Sequence, residues 1–121
     1  MISLLVVDDE SEIVDQVKEY FESEGFRVLT AETGAEGIEI VKRERPNVMI
    51  LDMKLPDMPG LSVLKAAKQA SPHTKVITVT GYVDQAMIDQ AEELGRDTFL
   101  QKPFDLERLK LEVDKLVPRQ S

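Results

Sequence analysis

Five short apolar runs, LLVV (4–7), FRVLTA (26–31), NVMIL (47–51), KVITVT (75–80) and DTFLQ (97–101), recur along the chain, each followed by a segment of helical period. Most are near-continuous rather than alternating, as strands covered on both faces must be. A strand–helix alternation with short connections has one economical solution: a parallel sheet, helices on both faces and right-handed crossovers. The helical faces read Ile13, Val17, Tyr20 and Phe21; then Ala35, Ile38 and Val41; then Leu61, Leu64 and Ala67; then Met87, Ala91 and Leu94; and finally Leu106, Leu109, Val113 and Leu116. Thr33-Gly34-Ala35-Glu36 fits a capping box, and Asp105 is placed to cap the last helix. Gly25 and Gly95 stand where the first and fourth helices should stop, and Pro46 and Pro72 mark the approaches to strands three and four.

At 121 residues the chain suffices for a single core, and neither an internal repeat nor an interior linker divides it. Residues 1–117 are expected to form the domain and residues 118–121 a tail, a linker or a cloning remnant, since LVPR resembles a protease site. No apolar stretch approaches the roughly 18 residues of a membrane span. The N-terminal stretch lacks the pattern of a secretory signal, so a cytoplasmic location is expected. The chain has no cysteine, which removes disulfides and thiolate metal sites. A formal charge of −8 argues against nucleic acid and anionic membranes as partners and favours proteins and cations.

In open parallel sheets, ligands bind outside the carboxyl ends of the strands. Here the first strand ends in Asp8-Asp9-Glu10, the third in Asp52, the fourth in Thr80-Gly81 and the fifth in Lys102-Pro103. Acids replace the glycines and bare amides of a phosphate-binding loop, so the rim repels a naked phosphate. A hard divalent cation resolves this, because magnesium takes one or two carboxylates plus waters and a phosphate oxygen. A carboxylate can also act as nucleophile and form an acyl phosphate. Lys102 would then pair with phosphoryl oxygens and Thr80 would donate to one. Each residue alone has a bland reading: an Asp after a strand is usually a turn or cap residue, a Lys a solvated charge, a Thr a strand former. Their placement on one rim is what favours chemistry.

The stretches LLVVDDE, LDMKLPDMPG, VITVTGY and FLQKPF, spread over residues 3–117, resemble the receiver domain of bacterial two-component response regulators. The resemblance implies a flavodoxin-like α/β fold, (βα)5 in three layers, with a five-stranded parallel sheet of order 2-1-3-4-5. It implies Asp52 as phosphoacceptor, and Mg2+ held by Asp8, Asp9, Asp52 and the backbone carbonyl of Met53. It also implies Lys102 on the phosphoryl group, a cis peptide before Pro103, and Thr80 with Phe99 as a switch pair. That pair would remodel the face formed by the fourth helix, fifth strand and fifth helix. The implied partners are a sensor histidine kinase or histidine phosphotransfer protein, and a downstream protein or attached output domain. Homodimerisation through the switch face is a further expectation, with Glu92, Arg96 and Asp97 as contacts.

The chain departs from the family's commonest pattern at Pro59, before Gly60, and at Arg96, which places a long cation on the switch face. Lys54 and Tyr82 occupy variable positions flanking the phosphoacceptor and the switch threonine, and Tyr82 is expected to shield the acyl phosphate from water. The principal reading is a phosphorylation-controlled signalling switch, not an enzyme in the ordinary sense, although it catalyses its own phosphoryl transfer and slow autodephosphorylation. The alternative is a phosphorylation-independent interaction module. A small-molecule phosphatase would need a substrate-covering insertion, for which the short connections leave no room. His73 is expected at the surface without a role, and the side chains of Met49, Met53, Met58 and Met87 are expected to fill space rather than form a binding stripe.

Overall fold

The computed structural model describes residues 1–82 and 84–118, so the tail assignment from residue 119 onward lies outside the described residues. The chain runs β1 (Ser3–Val7), α1 (Ser11–Ser23), β2 (Arg27–Ala31), α2 (Gly34–Glu44), β3 (Val48–Asp52), α3 (Gly60–Ala70), β4 (Lys75–Thr80), α4 (Gln85–Glu93), β5 (Thr98–Gln101) and α5 (Leu106–Leu116). The strands form one parallel sheet in the order β2-β1-β3-β4-β5, as the alternation and the resemblance implied.

The pleat explains why the strands are apolar without a break. Leu4 and Val6 of β1, with Val48 and Ile50 of β3 and Ile77 and Val79 of β4, face Val17 and Phe21 of α1 and Leu109 and Val113 of α5. Their neighbours Leu5, Val7, Met49, Leu51 and Val76 face Ile40 and Val41 of α2, Leu64 and Ala67 of α3, and Ala91 of α4. Successive side chains thus enter two separate cores, and a polar residue in either register would be buried. At about 25 cal/mol per Å2 of apolar surface removed from water, these two layers supply the main driving force for folding.

The helix ends follow the expected chemistry. Gly25 and Gly95 take φ of 87° and 96°, values that side chains disfavour, and they end α1 and α4. Thr33 accepts the Glu36 amide, but the Glu36 carboxylate reaches the Glu32 amide at 3.3 Å, one residue earlier than a reciprocal box requires. Asp105 caps α5, and Asp84 caps α4 in the same way. The Lys102–Pro103 peptide is cis.

The inward face of α2 includes Ile38 and Val41 as expected, but it is set differently at its start. Ala35 is exposed, and Gly34, Gly37, Ile40 and Val41 point inward. A Cβ on Gly37 would lie 3.0 Å from Val7 Cγ2, so α2 packs on the sheet by its glycines, which a hydropathy pattern does not register. In α1, Val14 is buried while Ile13 is half-buried. Phe26 falls just before β2, and its ring meets Phe21 edge-on at 5.1 Å.

Candidate functional site

Sheet order reverses at β1, whose neighbours β2 and β3 lead away to opposite edges. The ladders continue past the strands and fix the rim in register. The amide of Asp8 donates to Ala31 O at 3.0 Å, that of Met53 to Val79 O at 3.0 Å, and that of Lys102 to Thr80 O at 2.8 Å. Asp8, Asp52, Thr80 and Lys102 are therefore placed by backbone hydrogen bonding rather than by loop conformation.

The Lys102 ammonium is the hub. Its Nζ lies 2.8 Å from Asp8 Oδ2, 2.8 Å from Glu10 Oε1 and 3.1 Å from Asp52 Oδ2. One cation is thus shared by three carboxylates, leaving the cluster with excess negative charge. Asp8 and Asp52 are only 2% and 4% exposed, so water screens little of that charge. Their other oxygens are also engaged: Asp8 Oδ1 accepts the Glu10 amide at 2.9 Å and Asp52 Oδ1 accepts the Lys54 amide at 3.0 Å.

The titration behaviour follows from this crowding. Burial raises the Asp52 carboxyl above its ordinary value and the charge of Asp8 adds to the rise, while the Lys54 amide and Lys102 oppose it. For Lys102, burial works against the charged form. The Asp8 and Glu10 carboxylates, with Asp52 beside them, outweigh burial and hold the ammonium above the ordinary lysine range. The cation gains from every neighbour, whereas the carboxylates compete for it.

Oxygens of Asp8, Glu10 and Asp52, the carboxylates gathered around the Lys102 ammonium, all lie within 4.8 Å of one another, hard oxygens of the kind that hold divalent cations. Asp9 is exposed and lines the adjoining cleft of about 560 Å3, together with Asp52, Lys54, Thr80, Tyr82 and Lys102. The Met53 carbonyl, expected as a ligand, accepts the Gly60 amide at 3.0 Å. That bond belongs to a close approach of the two backbones: a Cβ on Gly60 would stand 2.5 Å from Met53 Cα. A carbonyl oxygen has two lone pairs, so this bond does not exhaust it and the Met53 carbonyl stays in the ligand set proposed below.

Thr80 is 3% exposed, and its hydroxyl is tied to the following loop, donating to Tyr82 O at 2.8 Å and accepting from Tyr82 N at 3.1 Å. Tyr82 is 73% exposed at the cleft mouth. Phe99 is half-buried and, with Thr80, Met87 and Ile88, walls a void of about 10 Å3. Arg96 does not extend onto the surface: its side chain is 13% exposed and its guanidinium lies 5.7 Å from the centre of the Phe99 ring. Asp97 turns toward α3, accepting from Lys68 at 3.1 Å and from the Val76 amide at 2.8 Å. Of the three expected dimer contacts, Glu92 has the most exposed side chain, at 75%, and Arg96 the least. His73 lies away from the rim, beside Ser71 at 3.3 Å.

Two residues escaped the sequence reading. Glu10 belongs to the initial acidic triplet, yet nothing in its spacing shows that it reaches Lys102. Asp57 accepts the Gly34 and Ala35 amides at 2.8 and 3.0 Å, tying the loop after Asp52 to the start of α2. Those amides hold the Asp57 carboxyl below its ordinary value. Pro59 is the N-cap of α3 and offers no capping side chain.

Residues 4–114 match the model of the response regulator receiver domain. The chain is 37% identical to sporulation initiation phosphotransferase F of Bacillus subtilis over 118 residues, covering 98% of this chain and 95% of that protein. It is 34% identical to response regulator SaeR of Staphylococcus aureus, covering 98% of this chain and 52% of SaeR. The crystal structure of a CheY-like receiver domain protein from Methanospirillum hungatei superposes with a TM-score of 0.93 at 34% identity, covering 96% of this chain and 94% of that one.

Because the folded protein raises the Asp52 pKa, ionising this carboxyl costs stability as the pH rises through that pKa. Asp52→Asn is therefore expected to raise the melting temperature at pH 7. The gain should vanish below the ordinary value of 3.8, where the native carboxyl is protonated in both states. Thermal unfolding of both proteins at pH 7 and near pH 3 checks this; equal melting temperatures at pH 7 would contradict it.

Proposed function

The chain belongs to the response regulator receiver domain family, and from that premise we propose that it is a signalling switch set by phosphorylation of Asp52. The observation that carries the reading is the Asp52 carboxylate at the end of a central strand, 3.1 Å from a lysine that two further carboxylates hold in place.

The proposed donor is a phosphohistidine on a sensor kinase or phosphotransfer protein. A carboxylate oxygen of Asp52 attacks phosphorus, the N–P bond breaks as the O–P bond forms, and the departing imidazole takes up a proton. Lys102 faces the incoming phosphoryl oxygens, and its fixed position means that little reorganisation is needed when their charge arrives. The proposed metal is magnesium, which Asp9 and Asp52, with Asp8 and the backbone carbonyl of Met53, would hold. Its chemistry is charge neutralisation of the phosphoryl oxygens as they approach an acidic rim.

Transmission would run through Thr80 and Phe99. The Thr80 hydroxyl would exchange its bonds to Tyr82 for one to a phosphoryl oxygen. The Phe99 ring would then move into the space that Thr80 gives up, altering the face of α4, β5 and α5. An attached output domain or a docked protein would read that face, which also remains the proposed surface for homodimerisation. Lys54 and Tyr82, at the cleft mouth, are proposed to tune the lifetime of the acyl phosphate.

Incubation with acetyl phosphate should add one phosphoryl mass per chain with magnesium present, and none without it or in Asp52→Asn. A protein that stays unmodified while still binding magnesium would need its kinase; one that binds no magnesium either would lose this reading. Tyr82→Ala should shorten the half-life of the adduct severalfold, followed by the same mass measurement, because the exposed ring at the mouth limits the approach of water. An unchanged half-life would remove that role.

A further inference from the structure

Arg96 carries an unusual burden for a residue just past a helix end. Its side chain is 13% exposed and its Nη2 lies 3.9 Å from Glu92 Oε2. The same nitrogen donates to the Ile88 carbonyl of α4 at 3.5 Å, the outer limit of a hydrogen bond. Its Nε is buried with no acceptor among the described residues. A guanidinium this dry, with one orphaned donor and long polar contacts, is under-compensated by hydrogen bonding. The remaining contact is the face of Phe99, 5.7 Å from Cζ, in the range of a cation–π interaction.

We propose that Arg96 is a positioning residue that latches the Phe99 ring to α4 in the resting arrangement and opposes the switch until Asp52 is modified. This rests on the function proposed above. Three observations support it. The Thr80 hydroxyl is bonded to Tyr82 in this structure, which is the arrangement before any phosphoryl oxygen competes for it. Thr80, Ile88 and Phe99 wall the same small void, so Arg96 grips two of the residues around the space that the switch would use. The guanidinium lies over the Phe99 ring in this same arrangement, so the contact belongs to that state and biases the equilibrium between the two. The under-bonded guanidinium also makes release feasible, since solvent would satisfy the Nε that the buried position leaves orphaned. Lysine would keep the charge but not the planar stacking group.

The test uses the whole chain and magnesium with beryllium fluoride, a non-covalent stand-in for the phosphoryl group. Arg96→Ala is expected to bind it roughly threefold to thirtyfold more tightly than the wild type, the range set by losing one partly desolvated cation–π contact. Arg96→Lys should fall between them. In free Arg96→Ala, the ring signals of Phe99 in aromatic NMR should move toward their positions in the loaded wild-type protein. Unchanged or weaker binding by Arg96→Ala overturns the latch, as does an Arg96→Lys protein identical to wild type. If Arg96→Ala does not fold, Arg96→Gln keeps the stem and takes its place. If wild type takes up no beryllium fluoride, the switch reading fails; the latch is then judged by the Phe99 signals, and a ring unmoved by the substitution overturns it.

Discussion

A single ammonium group shared among three carboxylates is the constraint around which this protein is arranged. Lys102 arrives from β5, Asp8 and Glu10 from the end of β1, and Asp52 from the end of β3. An isolated buried carboxylate would protonate rather than stay charged, and a buried pair would gain little over apolar packing. Here the lysine favours the ionised form against burial, while too few positive charges are present to satisfy the cluster. The excess makes the site reactive toward cations and, once a cation has entered, toward a phosphoryl group. A fully neutralised cluster would stabilise the fold better and would offer no chemistry.

The sheet makes that imbalance sustainable. Leu4 to Val7 and Val48 to Leu51 enter two apolar layers at once, so a shift of register would bury wrong side chains on both faces. The ladders that fix the strands also fix the amides of Asp8, Met53 and Lys102. Electrostatic strain at the rim is therefore borne by the core and not by the loops. The loop after Asp52 is tied down separately, by the contact of Gly60 with Met53 and by the carboxylate of Asp57 on the start of α2.

Residues at strand ends were legible in the sequence because position in a strand decides where they point. Asp8, Asp52, Thr80 and Lys102 could be placed on one rim from apolar runs alone, and the five-strand order followed from the resemblance. Residues whose role depends on a side chain crossing to another element were not legible. Glu10 reads as one acid among three, Asp57 draws no notice within its stretch, and Arg96 reads as a surface cation, although it folds back over Phe99. On α2, Ile38 and Val41 pack on the core as expected, but Ala35 does not and the glycines escaped notice for a related reason. Gly34 and Gly37 make their contacts by lacking a side chain, and hydropathy cannot weigh a missing atom. Asp97, expected as a dimer contact, is engaged by Lys68 and the Val76 amide of its own chain.

The most direct test of the central claim is a calorimetric titration of the metal-free protein with magnesium chloride. Wild type, Asp9→Asn and Asp52→Asn would be compared at pH 7. An unbalanced carboxylate cluster predicts one magnesium ion per chain, with affinity lowered by removing either acid. Absence of saturable binding, or binding that survives loss of the Asp52 charge unchanged, would contradict the account.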